Sequence, residues 1–352
     1  MAGAPRSGFT IKEPAQEGVV SRSRVLTACP ACASGTTRPR GLRYTASSAA
    51  DQLYPAARGI EHNARLRESI RSLWEGEMCE MWLCDTCGFG FAQPHVSGDE
   101  VFYSLLQEDP SYPSDRWEYA PVRRDLLRTA ICGRVLDYGA GDGAFLTCLP
   151  DSCQGIAVEL SGVLRERLLR RGVETVSAGS LGSAVPAESL DAVTMFQVLE
   201  HVADFRSLLS WCLRVLRPGG RLYVSVPEGE RLRQWEEATG LPDLPPFHVN
   251  QWTRTSLAAA LVDAGFSAVA TMMDGFSAAN AATLLGNAFR AQAVRPTSPA
   301  YVAWSVSNRR LRRVLLGALA VRYAPRLAVL AAKAPTLCSR VTLLARAARP
   351  EA

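Results

Sequence analysis

Hydrophobic and polar positions change their rhythm near residue 134. Downstream of it, short apolar runs alternate with amphipathic stretches. Arg134–Tyr138, Gly155–Glu159, Glu174–Ser177, Leu190–Phe196, Arg221–Val226 and Phe266–Met272 read as strands. Val163–Arg171, Ser207–Leu216 and Thr253–Ala264, which stops at Gly265, read as helices between them. This alternation predicts an α/β fold built on a parallel, doubly wound sheet. Residues 276–338 interrupt it with Ala/Leu/Arg-rich helical sequence, with breaks expected near Pro325 and Pro335, and Arg340–Ala345 reads as one last strand. Upstream, Ile60, Leu66, Ile70 and Leu73 give Ile60–Leu73 a helical period, while Met81–Leu83 and Phe89–Phe91 read as short strands. The chain therefore divides into a flexible polar terminus (1–24), a small unit (25–95), a helical connector rich in aromatics (96–130), an α/β core (131–275), a basic helical insertion (276–338) and the last strand (339–352).

With 47% hydrophobic and 21% charged residues in 352, the composition is globular and excludes disordered, collagen-like and coiled-coil classes. The net charge of +5 conceals an asymmetry: residues 280–352 hold 12 Lys/Arg and a single acid, Glu351, so the remainder is slightly acidic. The longest apolar candidate, Val314–Val321, is cut off by Arg313 and Arg322, and the first residues contain no apolar signal region. A cytoplasmic location with reduced thiols is the expectation, and there the spacing of the cysteines points to metal rather than disulfides.

The most informative stretch is Val135-Leu136-Asp137-Tyr138-Gly139-Ala140-Gly141-Asp142-Gly143, a strand running into three glycines and then, by expectation, a helix. Glycines let the backbone turn sharply and let a ligand approach the main chain. Gly139-x-Gly141-x-x-Ala144, with Glu159 twenty residues beyond Gly139, also satisfies the dinucleotide fingerprint, so an NAD-dependent oxidoreductase is an alternative. Asp137 argues against it. A carboxylate beside the turn repels a pyrophosphate and favours a ligand bearing an ammonium group, such as the methionine part of S-adenosylmethionine.

Cys29-x-x-Cys32 and Cys84-x-x-Cys87-Gly88 form two knuckles separated by 51 residues. Four thiolates suit tetrahedral zinc, structural because no position is left open, with Cys79 a competing ligand.

On these residues the chain resembles a class I S-adenosylmethionine-dependent methyltransferase with a core of the ubiquinone-biosynthesis type. The resemblance rests on four matches in order: VLDYGAGDG, Glu159 at the end of the second strand, LDAVTMFQVLEHVAD at the fourth, and LRPGGRLYVSVP around the fifth. It implies a seven-stranded Rossmann-like sheet of order 3-2-1-4-5-7-6, with the last strand antiparallel. It further implies that Asp137, Gly139 and Gly141 line the methionine end of the donor. Glu159 accepts hydrogen bonds from the ribose hydroxyls, and Phe196 and Gln197 pack on the donor. An acid near the adenine is missing, since Gly179-Ser180-Leu181 stands at that strand end. The four-cysteine unit is similar to the N-terminal zinc ribbon of bacterial methyltransferases, many of which modify sugars or precursors of secondary metabolites and surface polysaccharides. The expected acceptor is thus a small molecule or sugar, methylated at oxygen; a non-catalytic zinc-ribbon binding module is the other alternative.

If the acceptor is a hydroxyl, a base is needed. His201, after Glu200, and His248, in Pro246-Phe247-His248-Val249-Asn250-Gln251-Trp252-Thr253, are the candidates, each weighed against a purely structural histidine. A metal-assisted variant is disfavoured, because relatives acting on catechols carry an acid where Gln197 stands. Tyr112, Arg116, Trp117, Glu118 and Tyr119 of the connector are candidate acceptor contacts, against a helix merely packed on the core. Arg309, Arg310, Arg312, Arg313, Arg322, Arg326 and Lys333 make a cationic stretch, read either as a solvated face or as a peripheral contact with an anionic membrane. Nucleic acid is disfavoured, since no RNA-binding module and no base-methylation signature accompany the charge.

Overall fold

The computed structural model describes residues 26–106, 115–129, 133–177, 184–294, 298–304, 306 and 308–351. The expected flexible terminus 1–24, Tyr112 and Gly179–Leu181 lie outside them.

Seven strands form the central sheet: β4 (Gly133–Tyr138), β5 (Cys153–Val158), β6 (Glu174–Val176), β7 (Leu190–Phe196), β8 (Leu216–Pro227), β10 (Ser267–Met273) and β11 (Thr342–Ala348). Their order is β10-β11-β8-β7-β4-β5-β6, and β11 runs antiparallel to both β8 and β10. This is the order the resemblance implied. Side chains alternate across the sheet as a period of two requires. Val135, Ala192, Tyr223 and Leu344 face α4 (Tyr119–Arg128), while Leu136, Val193, Leu222 and Leu343 face the layer of α6 (Phe205–Val215) and α8 (Arg254–Asp263). Between β5 and β6 lies α5 (Gly162–Arg170), capped by Ser161. The helix expected straight after the glycine turn is absent: a 3-10 turn, Leu146–Cys148, stands there. Two local features keep it short: Gly143, at φ +81°, holds the chain in a turn before it, and Leu149, extended ahead of Pro150, ends it.

A second, antiparallel sheet of order β1-β2-β3-β9 comprises β1 (Thr37–Thr45), β2 (Met78–Cys84), β3 (Gly90–Gln93) and β9 (Asn250–Gln251). β1 is an edge strand with a register shift between Pro39 and Arg43, and its polar sequence conceals it from pattern reading. α1 (Ala46–Leu53) and α2 (Ile60–Trp74) pack on this sheet, through Ala49, Leu66, Ile70 and Trp74. Ile60, read as part of the apolar stripe, is exposed; Asn63 takes the buried position and donates to the Tyr54 carbonyl at 2.7 Å. The connector contributes α3 (Glu100–Leu106) and α4.

The two sheets share their packing. Cys29, Cys84, Cys87, Phe89 and Phe91 belong to the same buried cluster as Phe205, Trp252 and Leu257 of the α/β core. β9, from the loop after the fifth core strand, pairs with β3, and Asn250 donates to the carbonyls of Leu199 and Val202 at 3.0 and 2.7 Å. That loop is thus fixed from both sides, which sets the position of His248. After β8 comes α7 (Gly229–Thr239), and the insertion forms α9 (Ala278–Ala293), α10 (Pro299–Trp304) and α11 (Arg309–Leu337). α11 runs on through both Pro325 and Pro335, but it bends by 58° between Leu319 and Val321, just ahead of Pro325, where a break was expected.

Candidate active site

The C-terminal ends of β4, β5 and β7 open into a cleft of about 320 Å³, which is where open α/β sheets bind ligands. Asp137, Gly139, Gly141, Glu159, Phe196, Gln197, His201 and His248 all line it, so the fold brings together every sequence-derived candidate for donor binding and catalysis. Arg116 and Tyr119 of the connector line it too, as do Tyr103 and Phe247, which the sequence reading did not single out.

Asp137 is only 2% exposed and accepts a hydrogen bond from Thr194 Oγ1 at 2.7 Å. Burial pushes its pKa up to about 7, against the Thr194 bond, with Glu159 adding to the rise. Glu159 accepts from the backbone N–H of Gly141 and of Ser161, each at 2.8 Å, so its two oxygens brace the glycine turn. Each oxygen retains a lone pair for a further donor. Gly139 has φ +75°, and a Cβ there would lie 2.6 Å from Val198 Cγ2; the turn is built for glycine. Phe196 packs tilted against Phe145 and edge-on to Tyr119, with ring centroids 4.8 and 5.0 Å away. Gln197 sits at φ +58°, a left-handed conformation that non-glycine residues enter seldom and often at functional sites. Its backbone N–H donates to the Ser225 carbonyl at 2.9 Å, and Ser225 Oγ donates to Glu118 at 3.0 Å, which ties the connector to this strand end. Trp117 packs on the core cluster around Tyr119 and Phe145.

The same cleft holds Glu200, His201 and His248. His201 Nδ1–H donates to the Phe247 carbonyl at 2.6 Å, and burial, then His248, lower its pKa to about 3. His248 differs. Burial alone would lower it, but the carboxylate of Asp243, with an oxygen 2.7 Å from Nδ1, and that of Glu200 outweigh burial and raise it. Burial also raises Glu200 to about 7. Its Oε2 is buried without a hydrogen-bond partner among the described residues. Ligating atoms of Glu200, His201 and His248 all lie within 4.8 Å of one another. Asp243 was not singled out from sequence: it stands five residues before His248 in an irregular loop, and no spacing rule pairs them.

The sulfurs of Cys29, Cys32, Cys84 and Cys87 also lie within 4.8 Å of one another, with Cys29–Cys87 and Cys32–Cys84 each at 3.7 Å. Tetrahedral zinc with thiolates at about 2.3 Å places sulfurs about 3.8 Å apart, so the geometry fits that ion. Cys79 is absent from this cluster; it is buried with Tyr44 and Met81 in the other core. Thr253 Oγ1 donates to the Cys87 carbonyl at 2.7 Å, and Arg206 Nε to the Pro30 carbonyl at 2.8 Å, which anchors both knuckles on the α/β core.

A sheet of this order, with two carboxylates at adjacent strand ends beside a glycine turn, defines a methyltransferase fold. Residues 109–271 match the family model described as a methyltransferase domain. A Mycolicibacterium smegmatis protein described as a probable S-adenosylmethionine-dependent methyltransferase is 30% identical over 181 residues, 50% of this chain and 67% of that protein. A Mycobacterium tuberculosis protein of the same description is 30% identical over 139 residues, 39% of this chain. The ubiquinone biosynthesis O-methyltransferase of Xanthomonas oryzae is 32% identical over 119 residues, 32% of this chain. The chain spans about half the length of the latter two, 49% and 48%. The chain belongs to the S-adenosylmethionine-dependent methyltransferases.

Proposed function

We propose that the protein transfers the methyl group of S-adenosylmethionine to an oxygen of a small-molecule or sugar acceptor, with His248 taking the acceptor's proton. The observation that carries this reading is the shared cleft, lined both by buried Asp137 and Glu159 and by a carboxylate-paired histidine, His248. When bound, the donor supplies an electrophilic methyl on a sulfonium. Asp137 holds the donor's ammonium group, Glu159 accepts from its ribose hydroxyls, and the glycine turn admits it to the main chain. Alignment of the two reactants contributes several kcal/mol, up to roughly 7–11 in well-oriented reactions.

His201, with a pKa of about 3, takes no proton at neutral pH and serves as a positioning residue through the Phe247 carbonyl. His248 has the raised basicity that a proton acceptor needs, and Asp243 both orients it and stabilises its charged form. The four-cysteine cluster holds one structural zinc in this reading, and the reduced thiols fit a cytoplasmic protein. The orphaned Glu200 Oε2 beside two imidazoles favours a second reading, a divalent cation at the acceptor end. Rate loss on chelation, reversed by magnesium or manganese but not zinc, would establish it.

The test uses cell extracts incubated with isotopically labelled donor, with and without the protein, followed by mass spectrometry. A labelled product with a methyl ether is expected; binding of S-adenosylhomocysteine without labelling of any acceptor pool would favour the non-catalytic module. With a product in hand, His248→Asn should lower kcat about 10²–10⁴-fold while S-adenosylhomocysteine affinity stays unchanged. Because neutral His248 is the active form, the rate rises with pH through its raised pKa. Asp243→Asn removes the main charge raising it and should move that limb to lower pH.

A further inference from the structure

The helical insertion carries a surface that methyl transfer does not use. Residues 275–350 contain no Asp or Glu, although all twelve Lys/Arg of the C-terminal stretch lie there. α11 lies largely at the surface. On its first arm Leu311 and Val314 are 51% and 68% exposed, and with exposed Ala318 they recur at steps of three and four, which is one helix face; Val321, 75% exposed, opens the second arm. Exposed Arg310, Arg313 and Arg322 lie beside them. α11 bends by 58° between its arms Arg310–Leu319 and Val321–Leu337. The bend precedes Pro325, whose ring clashes with the carbonyl four residues back, at Val321. The second arm is fastened to the protein. Leu330 and Ala334 are buried, Ala334 packs with Trp235 and Leu284, and Trp235 Nε1 donates to the Leu337 carbonyl at 2.8 Å.

We infer that the first arm of α11 lies on the surface of an anionic lipid bilayer, with its Leu311–Val314–Ala318 face among the acyl chains, Val321 at the bend beside them, and the arginines at the headgroups. The charge selects this occupant. A second copy of the helix would bring the same cationic face and no acid of its own, whereas an anionic bilayer supplies an apolar layer and negative charge together. Among the described residues no single helix is long and apolar enough to cross a membrane. The two arms taken together pass that test, yet the second is held against α7 and α9 and carries Arg322, Arg326 and Lys333, so the helix lies along the surface.

Co-sedimentation of the full chain with phosphatidylcholine vesicles, with or without about 30% phosphatidylglycerol, tests this. Pelleting is expected with the anionic vesicles alone, and is lost on raising NaCl from about 50 to about 500 mM. The triple variant Arg310→Ala, Arg313→Ala, Arg322→Ala should weaken partitioning about 100-fold, each basic residue contributing about fivefold. Val314→Ser with Val321→Ser should weaken it about tenfold while the charge is kept. Unchanged S-adenosylhomocysteine binding and circular dichroism report that both variants are folded. Absence of pelleting with anionic vesicles, equal pelleting with neutral ones, or variants that pellet like the parent would each overturn the inference. So would retention after carbonate extraction, which marks a crossing helix, or binding to polyglutamate without vesicle binding, which marks an acidic protein partner.

Discussion

Asp137 is a carboxyl group held out of water with Thr194 as its hydrogen-bond donor, and its ligand-free state is costly once it ionises. Its pKa of about 7 exceeds the ordinary 3.8, so the folded chain holds an extra proton between those values. Stability of the ligand-free protein therefore falls as pH rises from about 4 to 7, by roughly 2–4 kcal/mol at about 1.4 kcal/mol per unit. A cationic ligand has the opposite dependence, since it binds the ionised form and its affinity rises through pH 7. Asp137→Asn should raise the melting temperature at pH 8 while weakening S-adenosylhomocysteine roughly 100-fold and flattening the pH dependence of binding. Calorimetric titration between about pH 5.5 and 8.5 measures both; a wild-type affinity profile in the variant would remove Asp137 from the site. Asp137 and the glycine turn were legible in the sequence because strand ends and glycines leave a local signature. Asp243 and Glu200 were not, because their roles come from contacts to a histidine on another segment.

At the scale of elements, the glycine turn between β4 and the 3-10 segment is a shape that few sequences permit. Gly139→Ala meets two obstacles, an L residue at φ +75° and a Cβ 2.6 Å from Val198 Cγ2. The expected loss is about 2 kcal/mol of stability. Adding Val198→Ala should recover the steric share and leave the backbone share, as read by urea denaturation. Full recovery would mean that the dihedral carries no cost. The central strands were readable because burial on both faces makes continuous apolar runs. β1 and β9 were not: β1 is a polar edge, and β9 has two residues and exists only because β3 is there to pair with it.

Across the whole molecule, the four-cysteine unit and the α/β core behave as one packed body. Phe89 packs against both Phe205 and Trp252, with ring centroids at 5.9 and 4.6 Å, so the knuckles sit on the core's own aromatic cluster. Removing zinc should consequently lower the melting temperature of a single cooperative transition. Cys84→Ser should do the same, with metal content falling from about one per chain toward zero. Two separate transitions on chelation, with the upper one unmoved, would contradict the shared core. Linear reading divided the chain at residue 95 because the two cysteine knuckles bracket a small unit before it and a helical connector follows; the division does not extend to the hydrophobic core, which joins distant segments without regard to sequence order.

What the amino-acid order determined on its own was local: the βα alternation, the glycine turn with Asp137, an acid, Glu159, at the end of the second strand, and the pairs of cysteines. Those signals are carried by backbone conformation and by spacing along one segment. Tertiary structure alone decided that Cys79 is left out of the four-cysteine cluster, that β9 clamps the His248 loop, and that Asp243 distinguishes His248 from His201. These depend on packing between parts of the chain separated by tens to hundreds of residues, where burial and charge at a point are set by neighbours in space.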